Sequence, residues 1–211
     1  TTGVQNTLIG GLAGDAITTG YYNTALGKDA LGTNTLSSLN VAIGHSALKT
    51  MSAGNAETHN VAVGANAGLS VTTGVQNTLI GGLAGDALTT GGDNVAVGYL
   101  ALSAATAGYD NVAVGGEALA SNTAINNTAV GHKSAYTNTT GTQNSALGTY
   151  SLFANTSGDF NTAVGYTALA ANTTADNNTA LGHQALNANT TGANNTAVGP
   201  SALAATTTGD N

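Results

Sequence analysis

The chain has 211 residues, enough for one or two ordinary domains, but only 6% of them are charged, against roughly 25% in an average globular protein. With three lysines, no arginine and a net charge of −7, binding to a nucleic-acid backbone is excluded, because that needs many positive groups. Cysteine is absent and no apolar run approaches the ~20 residues of a membrane-spanning helix, so we expect neither disulfides nor membrane insertion.

A five-residue pattern, Asn-(Thr/Val/Ser)-(Ala/Leu)-(Val/Ile/Leu)-Gly, recurs along the chain from its first residues to its last. The interval is 17 residues except for one of 20, between Asn40 and Asn60, and one of 16, between Asn111 and Asn127. A fixed period of this size is typical of repeat architectures. The twelve units, numbered 1 to 12, begin at Asn6, Asn23, Asn40, Asn60, Asn77, Asn94, Asn111, Asn127, Asn144, Asn161, Asn178 and Asn195.

Each unit contains the same predicted elements, counted from the Asn as position 1. Positions 2 to 4 alternate in the manner of a short strand, and the Gly at position 5 predicts a turn or a close backbone approach. Position 8 is Ala or Ser and position 9 is often Leu, for which we expect a second short strand. Gly and Asn recur too often for any long helix.

A unit of 17 residues buries too little surface to fold alone, so neighbouring units have to share a core. We therefore predict one all-β domain over residues 1–211, a parallel β-solenoid (β-roll) of twelve coils, uncapped at both ends. At ~4.8 Å per coil it forms a rod about 58 Å long. The position-1 asparagines are predicted to stack as a structural hydrogen-bonded ladder.

Apolar residues occupy both faces of the predicted strand, because position 3 is mostly Ala while position 4 is Val, Ile or Leu. One face fills the coil, and the pattern does not say which. The other face is expected to be buried as well, most simply against sister chains.

Two further features accompany the repeat: one unit is longer than the others, and one block of units is duplicated. The long unit from Asn40 to His59 carries three extra residues, which suits either a recognition bulge or a tolerated insertion. Residues 1–20 recur at 72–91 with a single change, Ile17 to Leu88, which indicates duplication of a four-unit block.

The variable positions of the unit are 6 and 7, directly after the Gly, where a solvent-facing turn is expected. One interpretation is a surface contact stripe that binds a partner, and the other is simple decoration of a solvated turn. The candidate stripe consists of His45, Tyr99, His132, Tyr150, Tyr166 and His183.

No pattern of catalytic or metal-binding residues stands out. Three of the four histidines, His45, His132 and His183, share a coil position but lie several coils apart, too far for one metal. Stacked pairs such as Asp159 and Asp176 supply too few oxygens for calcium. The only glutamates, Glu57 and Glu117, lie several coils apart and cannot form a glycosidase pair. We therefore expect no enzyme activity, no catalytic residues, no metal and no cofactor.

The run Asn-Thr-Ala-Val-Gly-x-x-Ala-Leu, as at Asn161 to Leu169, resembles the head repeats of trimeric autotransporter adhesins of the YadA type. It is even more similar to the 17-residue variants found in bacteriophage tail fibres. This resemblance covers the whole chain and implies left-handed coils, a homotrimer and an extracellular location on a virion tail fibre or a cell surface. The best-known adhesin head repeat is shorter, and we expect neither a stalk nor a membrane anchor within these 211 residues.

Three functions follow from these patterns. The first is a structural and adhesive fibre segment that attaches to a host surface through a glycan or a protein. The second is a self-assembling extracellular filament, since uncapped coils expose sheet edges that favour end-to-end pairing. The third, ranked below both, is an ice-binding solenoid, suggested by recurring Thr at positions 2 and 14 but opposed by the aliphatic position 4.

Overall fold

The computed structural model describes residues 3–210; Thr1, Thr2 and Asn211, which belong to the predicted domain, lie outside the described residues. The described chain is all-β, and its strands form one parallel sheet in chain order. The predicted β-solenoid is therefore confirmed. The strands are β1 Thr7–Ile9, β2 Thr24–Leu26, β3 Val41–Ile43, β4 Val61–Val63, β5 Thr78–Ile80, β6 Val95–Val97, β7 Val112–Val114, β8 Thr128–Val130, β9 Ser145–Leu147, β10 Thr162–Val164, β11 Thr179–Leu181 and β12 Thr196–Val198.

Every strand occupies positions 2 to 4 of its unit and pairs with the same positions of the next unit. Thr162 lies opposite Thr179, for example, and Val164 opposite Leu181. The register is kept even across the 20-residue interval, where Val41 lies opposite Val61. Because one-residue slips would reverse the two faces of a strand, the extra residues are accommodated in the turns.

The predicted second strand around positions 8 and 9 is wrong, since this stretch forms turns in every coil. Positions 7 and 9 both adopt left-handed backbone angles; Tyr150 and Leu152 of coil 9, for example, have φ of 57° and 51°. A strand requires negative φ throughout. The turns nevertheless remain paired between coils, as where the Leu152 amide donates to the Ala168 carbonyl at 2.9 Å.

The core is a column of small and medium side chains, mainly from positions 3, 8 and 9. In coils 3 to 6, position 12 adds Met51, Val71, Leu88 and Ala105. Ala at position 3, Ala at position 8 and Leu at position 9 point inward, and Ala163, Ala168 and Leu169 of coil 10 have no exposed surface. Position 4 therefore faces outward, which settles the orientation of the strand that the sequence left open.

The core compensates where position 9 is Gly instead of Leu. In coil 5 a Cβ placed on Gly85 would meet the side chains of Leu79 and Leu88 at 2.7 and 2.9 Å. Leu79 stands at position 3, where most coils have Ala. The volume lost at one position is thus supplied by another, as close packing of the interior requires.

Candidate functional site: the columns and outer surface of the solenoid

The position-1 asparagines form a single column beside the sheet. At every step from Asn6 to Asn195, the backbone amide of one Asn donates to the side-chain oxygen of the Asn in the preceding coil, at 2.8 to 3.2 Å. The side-chain nitrogen donates within its own coil, as from Asn161 to the Ala175 carbonyl at 2.8 Å. From Asn23 to Asn178 each side-chain amide therefore has a hydrogen bond at its oxygen, and each has one at its nitrogen, which a buried polar group requires.

Coil 3 departs from this arrangement because of its insertion. The Asn40 side-chain nitrogen donates to the Ser38 carbonyl of the preceding coil at 3.1 Å instead of to a carbonyl of its own coil. It also donates to Asn23 Oδ1 at 3.2 Å, as the asparagines of coils 5 to 7 do to theirs. The Thr58 hydroxyl donates to Asn40 Oδ1 at 2.8 Å. The longer coil therefore changes the partners of the asparagine while keeping its amide bonded.

A second asparagine column, at position 12 of coils 7 to 11, was missed by the sequence reasoning. It consists of Asn122, Asn138, Asn155, Asn172 and Asn189. Each side-chain nitrogen after the first donates to the side-chain oxygen of the coil before, at 2.7 to 3.2 Å. The recurrence of Asn at position 12 in five successive units is the signal that could have revealed it.

The outward side of the sheet carries a continuous aliphatic column at position 4. None of its members is buried, and the exposed fraction reaches 66% at Val198. Position 2 beside it is Thr, Val or Ser in every coil, so no charged side chain enters this face. The aliphatic column consists of Ile9, Leu26, Ile43, Val63, Ile80, Val97, Val114, Val130, Leu147, Val164, Leu181 and Val198.

The candidate contact stripe lies on the turn that follows the strands. His45 and Tyr99 are exposed and make no aromatic contact with another described residue. The other four form two pairs on consecutive coils. The ring centroids of His132 and Tyr150 lie 5.7 Å apart, and the rings of Tyr166 and His183 stack at 5.6 Å.

Two further aromatic residues, at position 10, join the stripe and were not predicted. Tyr136 and Phe153 stack with centroids 5.5 Å apart, and Phe153 also meets Tyr150 edge to face at 5.5 Å. Lys133 lies over the Tyr136 ring at 5.2 Å and pairs with Glu117 at 3.6 Å. Placing position 10 beside positions 6 and 7 needs the turn geometry, which the sequence alone did not supply.

The long unit places an acidic side chain against a tyrosine. The Tyr21 hydroxyl donates to Glu57 Oε1 at 2.7 Å, and this hydrogen bond raises the pKa of Tyr21 above its ordinary value. Ser38 and Glu57 form a small parallel bridge beside it. The inserted residues are thus attached to the preceding coils.

The acidic pair at position 16 is used by the backbone. Asp159 Oδ1 accepts the Thr142 amide at 2.6 Å, and Asp176 Oδ1 accepts the Asp159 amide at 2.8 Å. Within residues 3–210, no three His, Asp or Glu side chains are close enough together to hold a metal ion. The same residues enclose no cavity and contain no helix that could cross a membrane.

Comparisons with protein-family models, with curated proteins and with solved structures give no significant match to this chain.

Proposed function

We propose that this chain is a structural and adhesive segment of an extracellular fibre, from a phage tail fibre or a cell surface, in which three copies associate along the outward face of the sheet. The observation that carries the proposal is the exposed aliphatic column, which runs from β1 to β12 without a charged interruption. Solvated apolar surface of this length favours association, because removing it from water is stabilising.

The size of this face supports a stable interface. A strip about 58 Å long and about 10 Å wide, from strand spacing and rise, has an area of roughly 580 Å². Two such strips bury about 1,200 Å² together, which reaches the lower range of specific protein interfaces.

The composition of the face supports an interface core as well. Cores of interfaces are depleted in charged residues, and positions 2 and 4 hold only Thr, Ser, Val, Ile and Leu. The threefold arrangement itself rests on the resemblance of the repeat to trimeric adhesin heads.

The test is the mass of the purified chain in solution, measured by light scattering at several concentrations. We expect three times the 20.3 kDa of one chain, independent of concentration in the micromolar range. Replacing Val97→Lys and Val164→Lys should release single chains that keep their β circular dichroism, since a buried unpaired charge opposes association. Thr174→Lys with Thr191→Lys, on exposed turns, is the matched control and should leave the mass unchanged.

The alternatives give different results on the same sample. A single-chain mass for the unaltered protein overturns the association, and thermal hysteresis in that sample would then favour ice binding. Rods of unlimited length in electron micrographs would favour the end-to-end filament.

A further inference from the structure

Aromatic side chains concentrate on one short stretch of the rod. Five of the nine Tyr and Phe residues lie on coils 8 to 11. All of these except Phe160, at position 17, stand with two of the four His at positions 6, 7 and 10. We call these six rings the aromatic patch: His132, Tyr136, Tyr150, Phe153, Tyr166 and His183. In a chain with 4% aromatic residues, this clustering needs a physical reason.

The core does not need the aromatic patch. Alanine and leucine fill the inside of coils 8 to 11, and the rings lie outside on turns, where none is buried. The hydroxyls of Tyr21 and Tyr109 donate to Glu57 and to the Thr90 carbonyl. By contrast, no hydrogen-bond partner among the described residues contacts the hydroxyls of Tyr136, Tyr150 and Tyr166. These three hydroxyls are therefore available to a ligand.

The chemistry of the surface selects the kind of ligand. The lone cation beside the rings, Lys133, is already paired with Glu117 and covers Tyr136, so the patch offers no free charge to an ionic ligand. Its neighbours at the variable positions include Thr149 and Gln184, which are uncharged hydrogen-bonding residues. Apolar rings with hydroxyl and amide groups between them suit a sugar, which has an apolar C–H face and a rim of hydroxyls.

The shape of the surface selects the form of the ligand. A compact small molecule binds in a concave pocket, and anchor residues of a protein partner also fill well-packed pockets. Residues 3–210 enclose no pocket, and the patch extends over four coils. The ring pairs that join coils 8 and 9, and the pair that joins coils 10 and 11, have centroids 5.5 to 5.7 Å apart, close to the length of one sugar residue in an extended chain.

We infer that the aromatic patch binds an uncharged, extended glycan chain that lies along the rod axis, with successive sugars on successive coils. The inference rests on the proposed adhesive function and names the class of its partner. Tyr136 and Phe153 provide one stacked pair at position 10 of coils 8 and 9, and Tyr166 and His183 provide a second at position 6 of coils 10 and 11.

The test is isothermal titration calorimetry on the full chain in its native assembly. The ligands are β-1,4-linked N-acetylglucosamine oligomers and cello-oligomers of two to six sugars. We expect the affinity to rise at least tenfold from two to six sugars, because longer chains reach more coils. Tyr136→Ala with Phe153→Ala should lower the affinity for the six-sugar oligomers at least tenfold without changing Tm. Tyr99→Ala removes an isolated ring at position 6 and should leave the affinity unchanged, and Phe153→Tyr should retain it.

Equal binding by the double variant, or binding of a sulfated oligosaccharide in preference to every neutral one, overturns the inference. So does the absence of binding to all the neutral oligomers. If the protein is a trimer but binds none of these oligomers, the glycan site is contradicted and the fibre proposal is not. If it is a single chain that binds them, the association of three copies is contradicted and the glycan site is not.

Discussion

At the scale of single residues, the glycine at position 5 is required for two independent reasons. Gly165 has φ of +133°, and a Cβ built on it would lie 2.5 Å from the carbonyl oxygen of Gly182 in the next coil. An L side chain is strained at that angle, and the neighbouring backbone cannot move aside without breaking the stack. The column of glycines therefore sets how closely the coils approach.

We predict that Gly165→Ala destabilises the protein by more than about 3 kcal/mol, since backbone strain and a backbone clash add. Urea denaturation followed by circular dichroism measures the change. Gly82→Ala is the control, because its Cβ would meet its nearest heavy atom at 3.6 Å, an ordinary contact. A Gly165→Ala protein as stable as the wild type would contradict this account of position 5.

Asp86 lies at a position that is unfavourable for a charged side chain. Its Oδ1 is buried without a hydrogen-bond partner among the described residues, and burial raises the pKa of its carboxyl above the ordinary 3.8. The folded protein therefore holds this proton more tightly than the unfolded chain does. The contribution of Asp86 to the free energy of unfolding is therefore most favourable below its ordinary pKa, and it is lost as the pH rises through the raised pKa.

We predict that Asp86→Asn raises the urea midpoint at pH 7, where the wild type buries a charge, and that the gain shrinks as the pH approaches 3. Unfolding curves at both pH values measure it. Asp15→Asn alters the same position in coil 1, within the same local sequence, but there the side chain is exposed. An equal effect of both substitutions would show that burial is not the cause.

At the scale of elements, the two asparagine columns meet at shared acceptors. The Gly158 carbonyl accepts from Asn144 at 2.8 Å and from Asn155 at 2.9 Å, so both of its lone pairs are used. The second column ends at Asn189, whose Oδ1 is buried and has no hydrogen-bond partner among the described residues. The reason is that coil 12 has Thr206 at position 12, where coils 7 to 11 have Asn.

We predict that Thr206→Asn continues the column and stabilises the protein by about 1 kcal/mol, the usual net value of a hydrogen bond. The new amide would donate to Asn189 Oδ1, as Asn189 itself donates to Asn172 at 3.2 Å. Thr206→Val keeps the size without the donor and should give no gain. Melting temperatures measured by calorimetry decide the matter, and equal values for both variants would contradict the prediction.

The strands could be predicted from the sequence because their pattern of alternation is local. The turns could not, because Leu at position 9 adopts a left-handed angle that its intrinsic preferences disfavour. Bonds to the neighbouring coils, such as the one from the Leu152 amide, hold that conformation. Only the stack as a whole, with its buried leucines, accounts for it.

At the scale of the whole molecule, the solenoid could be predicted because repetition is visible without any knowledge of contacts. The direction of the strand faces could not, since Ala at position 3 and Val or Leu at position 4 are both apolar. For a similar reason, only part of the aromatic patch could be predicted from the sequence. Tyr150 and Tyr166 stood at positions recognised as variable, whereas Tyr136 and Phe153 joined them only through the turn.

The coil-to-coil hydrogen bonds have a mechanical consequence. These bonds lie parallel to the rod axis. A force that pulls the two ends of the rod apart therefore breaks the bonds between one pair of coils at a time, not all of them together. The weakest coil yields first, and each released coil of 17 residues lengthens the chain by about 50–55 Å, the reach of its extended backbone less the ~4.8 Å that it spans when folded. In the proposed fibre, a sudden load would be absorbed by lengthening in nearly equal steps, and an anchored particle would stay attached meanwhile.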